Sequence, residues 1–236
     1  MLTKPHIPTL RHNPAEYAFK AVRTSGLTSV GVRGKDTVVV ATQKKVQDRL
    51  IDDKSVTHIF PVAKHIGVCM TGLIGDAKAA VQRARQEAAQ FEYENGYPIP
   101  VSYLAQKMAN VAQLWTQQAF MRALGVVAIY FGVDDSSDSP QLYRVDPAGH
   151  YCGYKAWSAG VKEQDAGNFL EKGLKKSDMS AQATLELAVR AIQLCHGGDL
   201  KASDIEIAMV KTETGRYKAL SETEIDQVLS SISEQD

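Results

Sequence analysis

Apolar residues recur along this chain with two different periods, and the points where the period changes divide it into elements. From Pro14 to about Arg23 the spacing is helical. Asn13 is placed to cap that helix, Pro14 stands in its first turn, and Glu16 is placed to reach back to the cap. Gly26 ends the turn. Two β-branched runs then flank Arg33-Gly34-Lys35-Asp36, one ending at Val32 and the other spanning Thr37 to Thr42, which predicts a hairpin.

A polar segment, Gln43 to Lys54, separates the hairpin from strands expected over Val56 to Val62 and Ile66 to Thr71. Helical spacing returns at Ala77, Ala80, Val81, Ala84 and Ala88, with Asp76 as the expected N-cap and a stop near Asn95-Gly96. Pro100 opens a second helix with the stripe Val101, Leu104, Ala105, Met108, Val111, Ala112 and Trp115. Strand-like runs follow at Val126 to Val133, Gln141 to Asp146 and Tyr151 to Ser158, with turn composition at Asp134 to Pro140 and at Asp146-Pro147-Ala148-Gly149. Two more helices are expected, around Phe169-Leu170 and through Leu185, Ala188, Val189 and Ile192, the second broken at Gly197-Gly198. A strand at Ile205 to Lys211 precedes a last helix, which Ser221 and Glu224 open as a capping box.

Strands in blocks with helices in pairs predict an α+β fold of two stacked sheets, each covered by a helical layer, and not a doubly wound parallel sheet. The whole of 1–236 reads as one domain: an irregular arm over 1–12, a helix over 13–25, the sandwich over 26–220, and a C-terminal helix and tail over 221–236. Lys plus Arg equals Asp plus Glu at 27 each, so the chain carries no electrostatic footprint for nucleic acid or an anionic membrane. No apolar run approaches the roughly 20 residues that span a bilayer. Cys69, Cys152 and Cys195 are scattered, which suits a reduced intracellular protein without a zinc site.

Candidate chemistry is sparse. Thr71-Gly72-Leu73-Ile74-Gly75-Asp76 partly matches a phosphate cradle, but Asp76 would point a carboxylate at the phosphate, so a tight turn is expected there. No metal spacing occurs among the histidines, no nucleophile elbow is present, and no cofactor is implied. Lys44-Lys45 reads as a solvated turn, and Trp115 and Trp157 as core or interface anchors. Thr28 and Ser29 are the hydroxyls that an N-terminal-nucleophile hydrolase could expose by processing, with the freed α-amine as base.

The hairpin resembles the opening hairpin of proteasome subunits, and the likeness extends through Gln43-Lys44-Lys45-Val46, Met70-Thr71-Gly72, Val81-Gln82-Arg83-Ala84-Arg85, Met121-Arg122 and Asp146-Pro147-Ala148-Gly149. With a helix before the hairpin, the chain resembles the α-type subunits, most of all the iota-type group of eukaryotes. The resemblance implies a four-layer αββα sandwich, the N-terminal-nucleophile hydrolase fold. In catalytic β-type subunits the threonine, aspartate and lysine positions match Leu27, Gln43 and His58 here, so the chain is expected to be non-catalytic.

Implied partners are other α subunits in a seven-membered ring, β subunits, and the C-terminal tails of regulatory-particle ATPases, in ubiquitin-dependent degradation in cytoplasm and nucleus. Tyr17 and Phe19 would face neighbouring subunits. Glu16, Gly26, His58 and Leu73 match the pocket that receives activator tails, with His58 where the family has a lysine. An imidazole with a reference pKa of about 6.5 is mostly neutral at pH 7, so tails should bind this pocket poorly. Residues 1 to 15 lack the Tyr-Asp-Arg and Ser-Pro-x-Gly-Arg motifs that order the gate in the family.

Overall fold

The computed structural model describes residues 14–46, 48, 50–118, 120–134, 139–174 and 179–234. The expected arm over 1–12 and the Asn13 cap lie outside these. Helix α1 (Pro14–Thr24) leads into β1 (Thr28–Arg33) and β2 (Thr37–Gln43), then β3 (Ile59–Pro61) and β4 (Ile66–Gly72). Two long helices follow, α2 (Ile74–Asn95) and α3 (Val101–Gln117). Next come β5 (Val126–Asp134), β6 (Ser139–Val145), β7 (Tyr151–Gly153) and β8 (Ala156–Gly160). The chain continues through α4 (Glu163–Gly173), α5 (Ala181–His196), β9 (Ile205–Lys211), β10 (Tyr217–Ala219) and α6 (Glu222–Ser233).

The strands form two five-stranded sheets, ordered β10-β9-β2-β1-β8 and β3-β4-β5-β6-β7, with every neighbouring pair antiparallel. Alternation along each strand divides its side chains between two cores. In β2, Val39 and Ala41 join Leu185, Val189 and Ile192 of α5, while Val38 and Val40 face the other sheet. In β5, Ala128 and Tyr130 pack with α2 and α3, while Val127, Ile129, Phe131 and Val133 meet Val38, Val40, Ala208 and Val210 between the sheets. The result is the expected αββα sandwich. Each fully buried aliphatic or aromatic side chain in these cores contributes about 1.5–3 kcal/mol relative to exposure. Among the described residues, no helix is long and apolar enough to cross a membrane.

The fold departs from the sequence reading at four points. Tyr151 to Ser158 is not one strand: β7 pairs with β6 in the second sheet and β8 with β1 in the first. The chain changes sheets at Tyr154 and Lys155, where Tyr154 donates its N–H to the Leu142 carbonyl and Lys155 accepts from Arg33. Alternation reports which face a residue takes, not which partner strand lies beside it. The strand expected over Val56 to Val62 shrinks to β3, because the Thr57 hydroxyl and the His58 N–H turn to the Glu206 carboxylate, although the His58 carbonyl still accepts from the Met70 N–H of β4. β10 carries too little apolar alternation to be read as a strand, but Tyr217 anchors it against Phe131.

The fourth concerns Asp76. The N-cap of α2 is Leu73, and Asp76 lies inside the first turn. Its carboxylate receives both terminal nitrogens of Arg122, at 2.6 and 2.7 Å, and the Gly125 N–H at 2.9 Å. Those donors come from the loop before β5, so the acid ties α2 to that loop. Elsewhere the capping chemistry is as expected: Ser221 and Glu224 close a capping box on α6, and Gly96 and Gly197 end α2 and α5 in the left-handed region.

Candidate functional site

The end of the sandwich where α1 hands over to β1 gathers most of the candidate residues. Gly26 takes a positive φ of 74°, which lets the chain reverse from α1 into β1. Ala18 and Val22 bury one side of α1, which packs on β4 and β5, and Val22 joins the core between the sheets. Tyr17, on another side of α1, is 55% exposed. Phe19 is half-buried and lines a groove of about 600 Å³ with Trp157 and α4. The Arg144 guanidinium lies 4.5 Å from the centre of the Trp157 ring.

Leu27 is buried, and its carbonyl accepts from the Val161 N–H at 3.1 Å. Gly160 is what permits this approach. Its φ is +115°, and a Cβ there would lie 1.9 Å from the Leu27 oxygen. The two candidate hydroxyls beyond Leu27 are also buried and already committed. Thr28 donates its backbone N–H to the Gln43 Oε1 at 3.0 Å, and its hydroxyl accepts from the Lys162 N–H at 3.4 Å. Ser29 sits between the sheets, 2.7 Å from the Thr42 Oγ1, and accepts from the Thr71 hydroxyl at 2.7 Å. Cys69 is buried beside them, and loss of water pushes its thiol up to about 12, against hydrogen bonds from these hydroxyls.

Two clefts open on the outside of Leu27, and they share Leu27, Lys45 and Val46. One, of about 420 Å³, is lined by His58, Leu73, Ile74 and Lys78. The other, of about 390 Å³, is lined by Gly26, Thr28, Gln43, Lys44, Val161, Lys162 and His196. The three positions expected from the family resemblance to match a catalytic set are thereby divided. Leu27 borders both clefts, Gln43 only the second, and His58 only the first.

His58 is 7% exposed, and its Nδ1 finds no hydrogen-bond partner among the described residues. Burial holds the imidazole below its ordinary value; the Glu206 carboxylate pulls the other way and Lys44 reinforces the lowering. A neutral ring at pH 7 follows. Leu73 is 44% exposed at the mouth of the same cleft. Of the four residues expected to share a pocket, His58 and Leu73 meet, Gly26 lines the adjoining cleft, and Glu16 is exposed on α1 and lines neither. Lys78 was not singled out in the sequence. It stands one helical turn beyond Ile74, which the spacing of α2 alone could have shown. Among the described residues, no group of acids, histidines and cysteines could hold a metal ion.

The sequence profile of a family described as "Proteasome subunit" matches residues 23–210. The chain is 47% identical over 231 residues to the probable proteasome subunit alpha type-1 of Schizosaccharomyces pombe, covering 97% of this chain and 94% of the relative. It is 40% identical over 230 residues to the proteasome subunit alpha type-6 of Caenorhabditis elegans, covering 97% and 93%. A proteasome subunit alpha type-1 of Trypanosoma brucei brucei is 36% identical over 222 residues, covering 91% of this chain and 83% of the relative.

Proposed function

The chain belongs to the proteasome subunit family, and from that membership we propose that it is a non-catalytic structural subunit of the outer α ring of the 20S particle. Its work is ring assembly, formation of the substrate entrance and docking of activators in ubiquitin-dependent protein degradation, in cytoplasm and nucleus. Relatives that align along nearly the whole chain carry α-type names. The single observation that carries the non-catalytic reading is the state of Leu27 and the hydroxyls behind it. Leucine stands at the position matching the nucleophile, and Thr28 and Ser29 are buried with their hydrogen bonds made. Gln43 spends its side-chain oxygen on the Thr28 amide, and His58 offers a buried neutral imidazole where a catalytic lysine would be.

In this reading the chain meets other α subunits in a seven-membered ring and β subunits on its inner side, with Tyr17 and Phe19 of α1 toward a neighbouring α subunit. The cleft of His58 and Leu73 receives the C-terminal tails of activator ATPases. The neutral His58 weakens the grip on a terminal carboxylate, and the remaining charge in the cleft comes from Lys45 and Lys78. His58→Lys in the assembled particle is expected to raise affinity for a tail peptide; unchanged affinity removes His58 from the site.

Native mass spectrometry of the tagged chain from its own cells tests the larger claim. The expected result is an unprocessed 25.8 kDa chain in a particle of about 700 kDa, the mass of four seven-membered rings of such subunits. A homo-oligomer whose chains begin at Thr28 or Ser29 would establish instead the rival reading, a hydrolase exposed by processing.

A further inference from the structure

The cleft that adjoins the His58 site has a charge pattern that the proposed docking of a chain terminus does not use. Lys44, Lys45 and Lys162 line it, with His196 at the edge. None of the three ammonium groups has an ion-pair partner among the described residues. One carboxylate, Asp204, also lines the cleft, against three lysines. Asp204 accepts from the Lys201 N–H and the Ser203 hydroxyl, and Glu163 pairs with Arg23 at 3.0 Å. Leu27, Val46 and Val161 add apolar surface between the charges, and Leu27, Lys45 and Val46 also line the His58 cleft, so the two clefts adjoin.

The backbone of this cleft argues about the kind of anion. A phosphate site is built from converging N–H groups with no partner. Four of the N–H groups lining this cleft are already committed: Thr28 to Gln43, Lys44 to the Asp204 carbonyl, Val161 to the Leu27 carbonyl and Lys162 to the Thr28 hydroxyl. Flexible ammonium groups remain, separated by apolar side chains. Lysines on long stems meet carboxylates that are themselves spaced along a chain, without demanding a fixed fork geometry.

We propose that this second cleft docks acidic residues of a partner peptide whose C-terminus sits in the His58 cleft, with Lys44, Lys45 and Lys162 meeting carboxylates upstream of the terminus. The proposal rests on the reading of the His58 cleft as a seat for a chain terminus. It adds a specificity: tails with Asp or Glu several residues before their end prefer this subunit over tails with neutral residues there.

The test uses assembled particles containing this chain and two eight-residue peptides with free C-termini and a photo-reactive residue. One peptide carries two Glu upstream of the end, and the other carries Gln at the same places. The readout is crosslinking to this chain, identified by mass, as a function of peptide concentration. The Glu peptide is expected to half-saturate at a lower concentration. Lys162→Gln or Lys44→Gln is expected to remove about two- to fivefold of that advantage each, as a partly screened pair would. The Gln peptide should bind these variants as it binds the parent.

Equal half-saturation by both peptides, or no effect of the two substitutions, overturns the proposal while leaving the terminus site standing. Competition by inorganic pyrophosphate as effective as that by the Glu peptide overturns the assignment to a peptide. Crosslinking of neither peptide to this chain overturns both the proposal and the reading beneath it.

Discussion

Leu27 separates two polar regions that differ in almost every physical respect. Behind it, Ser29, Thr42 and Thr71 are fully buried between the sheets and bonded to one another. In front of it, Lys44, Lys45, Lys78 and Lys162 line open clefts and make no ion pairs among the described residues. A buried hydroxyl without a partner is costly, so the inner groups must satisfy each other and are withdrawn from chemistry. A solvated ammonium group carries no such penalty and stays available to a partner. The side of Leu27 on which a polar group lies thus decides whether it serves stability or recognition.

The contrast can be broken most severely at Gly160. Gly160→Ala places a Cβ against the Leu27 carbonyl at a backbone conformation that suits glycine, and is expected to cost about 3 kcal/mol. Denaturation midpoints, or failure of the variant to enter particles, report it. On the inner side, Ser29→Ala leaves the Thr71 hydroxyl without its acceptor and the Thr42 hydroxyl without its neighbour. The expected loss is about 2 kcal/mol, measured by equilibrium denaturation, and a loss below about 0.5 kcal/mol would mean that the hydroxyl chain is not structural.

Asp76 lies between the extremes, since its carboxylate is largely buried but its partner Arg122 is mostly exposed. Asp76→Asn keeps an acceptor for the Gly125 N–H and is expected to cost about 1 kcal/mol after screening. The Arg122 guanidinium, helped by the Gly125 N–H, holds the Asp76 carboxyl below its ordinary value against the opposing effect of burial. A depressed folded value means that the contribution is complete above the unfolded carboxylate pKa of about 3.9 and is lost as pH falls toward the folded one. The parent and the Asp76→Asn variant should therefore converge in stability on acidification. At the other end, Lys162→Gln and Lys78→Gln should leave stability within about 0.5 kcal/mol of the parent, because neither ammonium group holds the fold together.

Much of this arrangement was legible in the residues. The capping box at Ser221 and Glu224 and the stripe through Leu185, Val189 and Ile192 are local patterns, and the folded chain realises both. Asp76 was misread because a cap is inferred from neighbours in sequence, whereas Arg122 and Gly125 reach it across the fold. The Tyr151 to Ser158 run was misread for a related reason: its composition is strand-like throughout, but the chain leaves one sheet for the other between β7 and β8. At the candidate site, His58 and Leu73 were singled out only through resemblance to a family. Lys162 carried no local signal at all.

The sequence by itself determined which face each strand and helix would bury, and hence four layers, because alternation and helical spacing act over a few residues. It also determined that no nucleophile stands at residue 27. Only the tertiary structure decided which polar groups would meet. Ser29, Thr42 and Thr71 come from β1, β2 and β4, and Lys45 and Lys162 are brought to one cleft by the pairing of β1 with β2 and β8. Periodicity specifies a direction for each side chain, but its neighbours are set by strand order and register.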